Sequence, residues 1–561
     1  MEDQAAPPTH PADRALSWRS ALIVTIFGAT LLMVRFGPGW ALTYHEVYFS
    51  QPAREFLESG DWLSPRILGE TNYQKPPLTC WLIAASMALF QSDAEWVVRL
   101  PSLVAGLVAA IALGMLAARW YGDRVGLMAA LLHLTTFYGI FQARLAEADM
   151  PLCAAVIVGM LCYARGAIGS DDQARPSWGW TLGFFLAAVA AFHIKGPVGP
   201  AFIGLPCGFH AILARRWRPW RLLLDPIGWV LLVGGCVGYF LTVYLRDPSV
   251  LDDFRVHNLD RFTGVMPSDR QGPLYYFYMG PLIFLPWTPL LVPGIRALLL
   301  DTERPRDFWR FLACWTGVVL AIITMSSWKH KHYAIPALPP LSILAALGLR
   351  RLNDIVRPAA VRTAAGGGLV ALVACLAATI WAVAGRHALM GSVAPALGVG
   401  AAGAFVLAIT RHKQWRKASV PVVFGTAWCV VVMVQSFVMP LFDRYQAQTE
   451  LALQLESRRE RNETIDMVAL IDPQVVWYLS GPRTFTREFP DYERDLVRED
   501  QQGGRLIVTP ETYVKALREI GSVETVVAPV PPNGLTAVRL QPEQARMARH
   551  RGVNEEGPER R

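Results

Sequence analysis

Long apolar runs separated by short polar joints dominate the first 440 residues. A membrane-crossing helix needs roughly 17–25 mostly apolar residues. Runs of this kind cover 17–38, 99–118, 125–141, 150–165, 178–193, 197–214, 223–245, 275–299, 309–327, 334–350, 364–384, 394–410 and 420–440. They predict an all-α polytopic membrane bundle of about 13 transmembrane helices over 17–440. A shorter run at 78–91, LTCWLIAASMALFQ, follows the Pro76-Pro77 break and is expected to lie flat at the outer interface. Past 441 the pattern changes. Short apolar runs at 467–471, 505–509, 524–530 and 536–540 alternate with helix-like stretches such as PETYVKALREIG. They predict a small C-terminal α/β domain over 441–540. The polar stretch 541–561, rich in Arg and Glu, is expected to be a disordered tail.

Charge orients the bundle. The chain is 53% apolar and 17% charged, against roughly 25% charged in soluble domains, which argues against a soluble protein. If 78–91 does not cross, the basic clusters at 119–124, 215–221, 301–310, 350–357 and 411–417 fall on the side of Arg14 and Arg19. Short basic loops stay in the cytoplasm. The tail 1–16 is therefore expected to be cytoplasmic and the C-terminal domain to lie outside. The first apolar run is too long for a signal peptide and reads as an uncleaved helix. The net charge of +8 comes from these helix-flanking clusters, so no nucleic-acid partner is expected. The eight cysteines show no metal spacing and read as small apolar fillers.

Few ionisable residues fall within the spans, which argues against an ion-coupled pump. His133 and His210 are exceptions and read as hydrogen-bonded structure. The outward segments are richer. Loop 39–98 carries His45, Glu46, Arg54, Tyr73 and Lys75. The next outer segments bring Arg144, Glu147 and Asp149, then Lys195-Gly196-Pro197, then His257, Asn258 and Arg261, then W-K-H-K-H-Y at 328–333. Singly, each reads as a solvated loop or headgroup anchor. Together they supply cations for a phosphate and carboxylates or imidazoles for an acceptor hydroxyl.

Certain motifs are recognisable. E-x7-R-E-x-L-E-S-G-D-W-x-x-P-R runs from Glu46 to Arg66, followed by Tyr73-Gln-Lys-Pro-Pro-Leu-x-x-Trp81 and Arg99-Leu-Pro-Ser. Then come Arg144-Leu-x-x-x-Asp149-Met, Lys195-Gly-Pro, Asn258-Leu-x-Arg261-Phe, Leu285-Pro-Trp-Thr and Lys329-x-x-His332-Tyr-x-x-Pro336-x-x-Pro339-Pro. Over about residues 17–450 this order resembles the membrane glycosyltransferases related to lipid A 4-amino-4-deoxy-L-arabinose transferase and the dolichyl-phosphate-mannose protein mannosyltransferases. The resemblance implies the type C glycosyltransferase fold, thirteen spans, a bacterial inner membrane and a periplasmic C-terminal domain. It implies a polyprenyl-phosphate sugar donor and a lipid, glycan or protein acceptor. It also implies catalytic roles for Glu46 and Asp149, with His45 beside them, and donor-phosphate roles for Lys75, Arg261, Lys329, His332 and Tyr333. Tyr73, Arg54, Arg144, Lys195 and His257 are further pocket candidates.

Three acidic positions of the family pattern are replaced here, by His45, Gln74 and His257. No cofactor is fixed by these residues, and Gln74 and His45 weaken the case for a divalent metal. His45, Glu46 and Asp149 all remain open as the base. A catalytically degenerate membrane scaffold and a lipid or sugar transporter stay open as alternatives. A transporter predicts charged spans and matching halves, and the sequence shows neither.

Overall fold

The structure is a computed structural model. It describes residues 15–33, 36, 41–169, 175–264, 271–300, 306–355, 446–460, 463–469, 472–479, 483–486, 492, 505–530 and 534–542. The expected tails 1–16 and 541–561 (but for residues 15, 16, 541 and 542) and the expected spans 364–384, 394–410 and 420–440 lie outside the described residues. The chain divides into two compact units. One is Met1–Pro38, Ala53–Pro65 and Thr71–Phe442; the other is Gly39–Pro52, Arg66–Glu70 and Asp443–Arg561.

In the first unit a helix stands at each of the ten apolar runs that fall among the described residues. They include α1 (Trp18–Met33), α4 (Glu95–Tyr121), α5 (Asp123–Leu134), α6 (Phe137–Ala143), α7 (Asp149–Ala167), α8 (Trp178–Lys195) and α9 (Val198–Ala214). Helix α2 (Tyr44–Ser59) and α3 (Leu78–Phe90), which falls on the expected interfacial run, come between α1 and α4. After α10 (Trp217–Leu223) and α11 (Pro226–Tyr244) a short helical stretch runs through α12 (Val250–Phe254), a π-helical turn (Arg255–Asp260) and α13 (Arg261–Thr263). Then follow α14 (Tyr275–Ile283), α15 (Leu291–Leu300), α16 (Arg306–Met325) and α17 (Pro339–Ile355). Among the described residues four helical runs are long and apolar enough to cross a membrane, and up to seven if each bent pair is one span.

Three of the expected spans are bent. The run at 125–141 is bent by 70° between α5 and α6. There the Thr135 and Thr136 hydroxyls donate to the carbonyls of Leu131 (2.6 Å) and His133 (2.9 Å), competing with the helical ladder. The run at 275–299 is bent by 100°, where Pro286 and Pro289 remove two backbone donors. The run at 334–350 is bent by 64° beside Pro336 and Pro339. Small residues let the straight helices touch. An added Cβ on Gly126 of α5 would lie 2.6 Å from the Gly114 carbonyl of α4, a backbone approach of the kind that drives packing in lipid.

In the second unit, β3 (Ile465–Val468), β4 (Arg483–Thr486), β5 (Arg505–Pro510), β6 (Gly521–Val530) and β7 (Leu535–Pro542) form one sheet; β1 (Arg66–Ile67) and β2 (Glu70–Thr71) form a separate two-stranded ladder. The five-stranded order is β4-β3-β5-β7-β6, parallel across β4-β3-β5 and antiparallel across β5-β7-β6. Strand alternation sends Leu506 and Val508 to one core with Ile465, Met467 and Ala537, and Ile507 to another with Val468, Val538 and Leu540. The first core is covered by α18 (Gln446–Arg458) and α19 (Pro473–Tyr478), the second by α20 (Val514–Ile520). Strand β4, Arg-Thr-Phe-Thr, was not among the expected runs, because four residues with one large apolar side chain give little signal.

The expected boundary at 441 is incomplete, since the start of loop 39–98 belongs to this unit. The Leu42 amide donates to the Tyr478 hydroxyl at 2.9 Å, and Gln474 Nε2 donates to the Leu42 carbonyl at 2.6 Å. Two hydrogen bonds some 430 residues apart in sequence are invisible to a pattern of apolar runs.

Candidate active site

Within the first unit a cavity of about 150 Å³ is lined by Lys75, Asp149, Lys195, His257, Arg261, Trp328, His332 and Tyr333, among others. Each polar group arrives on a defined element. Asp149 opens α7 and Lys195 closes α8, which packs against it. A carboxylate at a helix N-terminus and an ammonium at a C-terminus both suit the helix dipoles, and here the two pair directly. Gly196 then reverses the chain at φ +70°, and the Asn258 side-chain oxygen sits 2.8 Å from where a Cβ would be. Glycine is needed there on both counts. Lys75 comes from the segment ahead of α3, Arg261 from the start of α13, and Trp328 to Tyr333 from the segment after α16.

The contacts form one connected set. His332 Nε2 stands 4.0 Å from Asp149 Oδ2. The Lys195 ammonium lies 4.7 Å over the Tyr333 ring, and the Arg261 guanidinium 4.3 Å over the Trp328 ring. His330 and His332 stack with centroids 5.2 Å apart. Three cations thus meet one carboxylate among the described lining residues. Burial, with the Lys195 ammonium second, pulls the Lys75 ammonium down to about 8, partly offset by Asp149 and Glu147. Such a lysine gains from an arriving anion.

Other expected residues stand elsewhere. Lys329 Nζ donates to the Ser326 carbonyl at 2.7 Å and is not among the lining residues. Tyr73 packs with Val243 and Val250, and its amide donates to Asp253. Arg54 pairs with Asp93 at 2.7 Å. Arg144 is buried, donating to the Leu32 carbonyl at 2.7 Å. His45 and Glu46 fall in the second unit. There Glu46 is fully buried and closes a capping box at the start of α2. The Thr43 amide donates to Glu46 Oε2 at 2.8 Å, and the Glu46 amide donates to Thr43 Oγ1 at 3.2 Å. The T-x-x-E spacing was a readable signal for this. Leu152, Val198, Phe202, Ile322 and Ile323 also line the cavity. Sequence reading missed them because they resemble any other apolar span residue.

Residues 74–244 match the family described as dolichyl-phosphate-mannose-protein mannosyltransferase. Lys75, Asp149 and Lys195 fall within that stretch, while His257, Arg261, Trp328, His332 and Tyr333 lie beyond it, so the wider comparisons matter. The crystal structure of ArnT from Cupriavidus metallidurans bound to undecaprenyl phosphate superposes with a TM-score of 0.76 at 21% identity, covering 93% of this chain and 97% of that one. The chain has the fold of that transferase. This supports the expected type C glycosyltransferase class at the level of architecture. In sequence, the chain is similar to undecaprenyl phosphate-alpha-4-amino-4-deoxy-L-arabinose arabinosyl transferases. It is 28% identical to that of Pseudomonas paraeruginosa over 59% of each chain, and 27% identical to one from Pseudomonas fluorescens over 64% of each. The chain matches about three-fifths of the length of these curated relatives.

Proposed function

We propose that the protein is an integral membrane glycosyltransferase that moves a pentosyl or hexosyl group from a polyprenyl phosphate to a lipid A, glycan or protein acceptor. In this reading it sits in a bacterial inner membrane with thirteen spans, a cytoplasmic N-terminus and a periplasmic C-terminal unit, and α3 lies at the outer interface. The observation that carries it is the gathering of Lys75, Lys195 and Arg261 around one cavity beside Asp149. The names of its relatives and the lipid held by the solved homologous fold support the donor class.

The reaction is one displacement. The acceptor oxygen forms a bond to the anomeric carbon as the bond from that carbon to the phosphate oxygen breaks. The electron pair leaves with the polyprenyl phosphate, whose charge Lys75 and Arg261 hold. A phosphate acceptor brings no proton to remove. A hydroxyl acceptor passes its proton to a carboxylate, and Asp149 is the one at the cavity. Glu46, committed to its capping box, is assigned to holding α2. His45 stays the alternative base and is tested by His45→Ala. No step is routed through a divalent ion, because the donor set at the cavity is mainly cationic. The full chain in lipid nanodiscs with an undecaprenyl-phosphate sugar should transfer it to lipid A. Lys75→Ala should lose transfer while keeping its fold. No transfer to any lipid, glycan or protein acceptor would remove the reading. Unchanged envelope glycolipids and glycoproteins in cells lacking the protein would count against it as well.

A further inference from the structure

A second group of cations gathers at the far end of α7 from Asp149. The 19 residues of α7 set it about 27 Å from the cavity, at roughly 1.5 Å per residue. Arg119 Nη2, from the end of α4, donates to the Ile168 carbonyl at 3.3 Å. Arg216 Nη1 donates to the Gly169 carbonyl at 2.7 Å and Arg218 Nε to the Gly166 carbonyl at 2.9 Å. These three cap the last carbonyls of α7, where a helix C-terminus favours cations. Arg165, in the last turn of the same helix, caps nothing. It makes no hydrogen bond or ion pair among the described residues. Its guanidinium lies 5.8 Å over the Trp180 ring, and that of Arg119 lies 5.2 Å over the Trp120 ring.

The open donors here face outward. Of the Arg165 nitrogens only Nε is closed in without a partner, so the two terminal nitrogens reach the surface. Arg119 has five N–H groups and one bond for them, and none of its nitrogens is closed in unpaired. Arg165 and Arg218 act on Arg119 as like charges, and no carboxylate among the described residues offsets them. Asp307, which pairs at this end, is taken by Arg216 at 3.4 Å and Arg310 at 3.3 Å. Guanidinium groups held together with donors to spare suit a phosphate, whose oxygens match their fork. The surroundings name its source. Trp178 and Trp217 are exposed beside these arginines, as are Ile212 and Leu213 at the end of α9. Exposed indoles next to cations belong at the headgroup level of a bilayer, and a free phosphate has no use for them.

We infer that Arg119 and Arg165 hold the phosphate of an anionic phospholipid at the end of the bundle opposite the cavity, where the lipid ties together the ends of α4, α7 and α8. This site stands independently of the transferase reading.

The test uses the full chain in phosphatidylcholine nanodiscs into which phosphatidylglycerol is titrated, with retained lipid counted by native mass spectrometry. The unaltered chain should retain phosphatidylglycerol in preference to phosphatidylcholine. Arg165→Gln should lower the affinity for phosphatidylglycerol about tenfold, and Arg119→Gln with Arg165→Gln should lower it further. Because Arg165 caps no carbonyl, Arg165→Gln should melt in pure phosphatidylcholine as the unaltered chain does. It should lose only the stabilisation that phosphatidylglycerol confers. Arg306→Gln with Arg350→Gln removes two charges from exposed positions on α16 and α17 and should leave the affinity within about twofold. Equal retention of the two lipids by the unaltered chain overturns the inference. So does a loss in the Arg306/Arg350 pair as large as in the Arg119/Arg165 pair, which would leave only diffuse attraction. Displacement of the lipid by millimolar inorganic phosphate would make this an ion site and overturns it too. An Arg165→Gln protein destabilised equally in both lipids would make Arg165 structural, with the same result.

Discussion

Two buried aspartates, one in each unit, sit beside cations and differ in what surrounds them. Asp466, 1% exposed, accepts from the Tyr492 hydroxyl at 2.8 Å, from Arg505 Nη1 at 2.8 Å and from the Thr484 hydroxyl. One cation answers one anion, and hydroxyls fill the remaining lone pairs. Burial, with Asp466 second, pushes the Tyr492 phenol well above its usual range, so it stays a donor. Asp149 faces Lys195 and His332, with Lys75 and Arg261 on the same cavity. There the described lining holds three cations, Lys75, Lys195 and Arg261, to one carboxylate. The first arrangement is complete and holds a sheet together. A buried ion pair is therefore weak evidence of function by itself; the imbalance around it is what points to a ligand.

That contrast can be broken in four ways, from the largest expected effect to the smallest. Asp466→Ala should strand Arg505 and cost about 3–5 kcal/mol in the C-terminal unit, read by hydrogen exchange across β3 and β5. Donor affinity at the cavity should stay put; if it collapsed in step, the division of roles would be wrong. Lys75→Ala should lower kcat/KM by about 100- to 1,000-fold with unfolding unchanged. A loss of stability instead would make Lys75 structural, like Arg505.

The third is a pH profile. Burial pulls the Lys75 ammonium down to about 8, against an ordinary 10.5, and a bound phosphodiester raises it. The donor phosphodiester has no proton to lose in this range. Affinity should thus be flat below pH 8 and fall above it, by at most about tenfold per pH unit, until the raised value is reached. Lys75→Arg should remove the fall. A profile that is flat to pH 10 in the unaltered chain would count against Lys75 as a phosphate contact. Last, Glu46→Ala and Thr43→Ala should each cost about 0.5–2 kcal/mol, and the double variant little more than either. A large kinetic defect in Glu46→Ala without a matching one in Thr43→Ala would return Glu46 to catalysis.

Much of this was readable along the chain. The apolar runs located a helix at every described span, and alternation located four of the five strands of the sheet. The motif residues Lys75, Asp149, Lys195, His257, Arg261, His332 and Tyr333 do meet at one cavity. Arg54, Arg144, Tyr73 and Lys329 looked equal to them in sequence and are used elsewhere. Spacing tells which end of the bundle a residue occupies but not where its side chain turns.

The sequence alone determined the multi-pass membrane class and the positions of the described helices. An apolar run of about 20 residues is a property of local composition. Only the tertiary structure decided the bends at Thr135 and Pro286, the assignment of Gly39–Pro52 to the C-terminal unit, and the capping role of Glu46. It alone decided that Trp328 Nε1, Arg261 Nε and His257 Nδ1 are buried with no hydrogen-bond partner among the described residues. Hydrogen-bond satisfaction depends on every neighbour in space, and a chain's local pattern does not contain those neighbours.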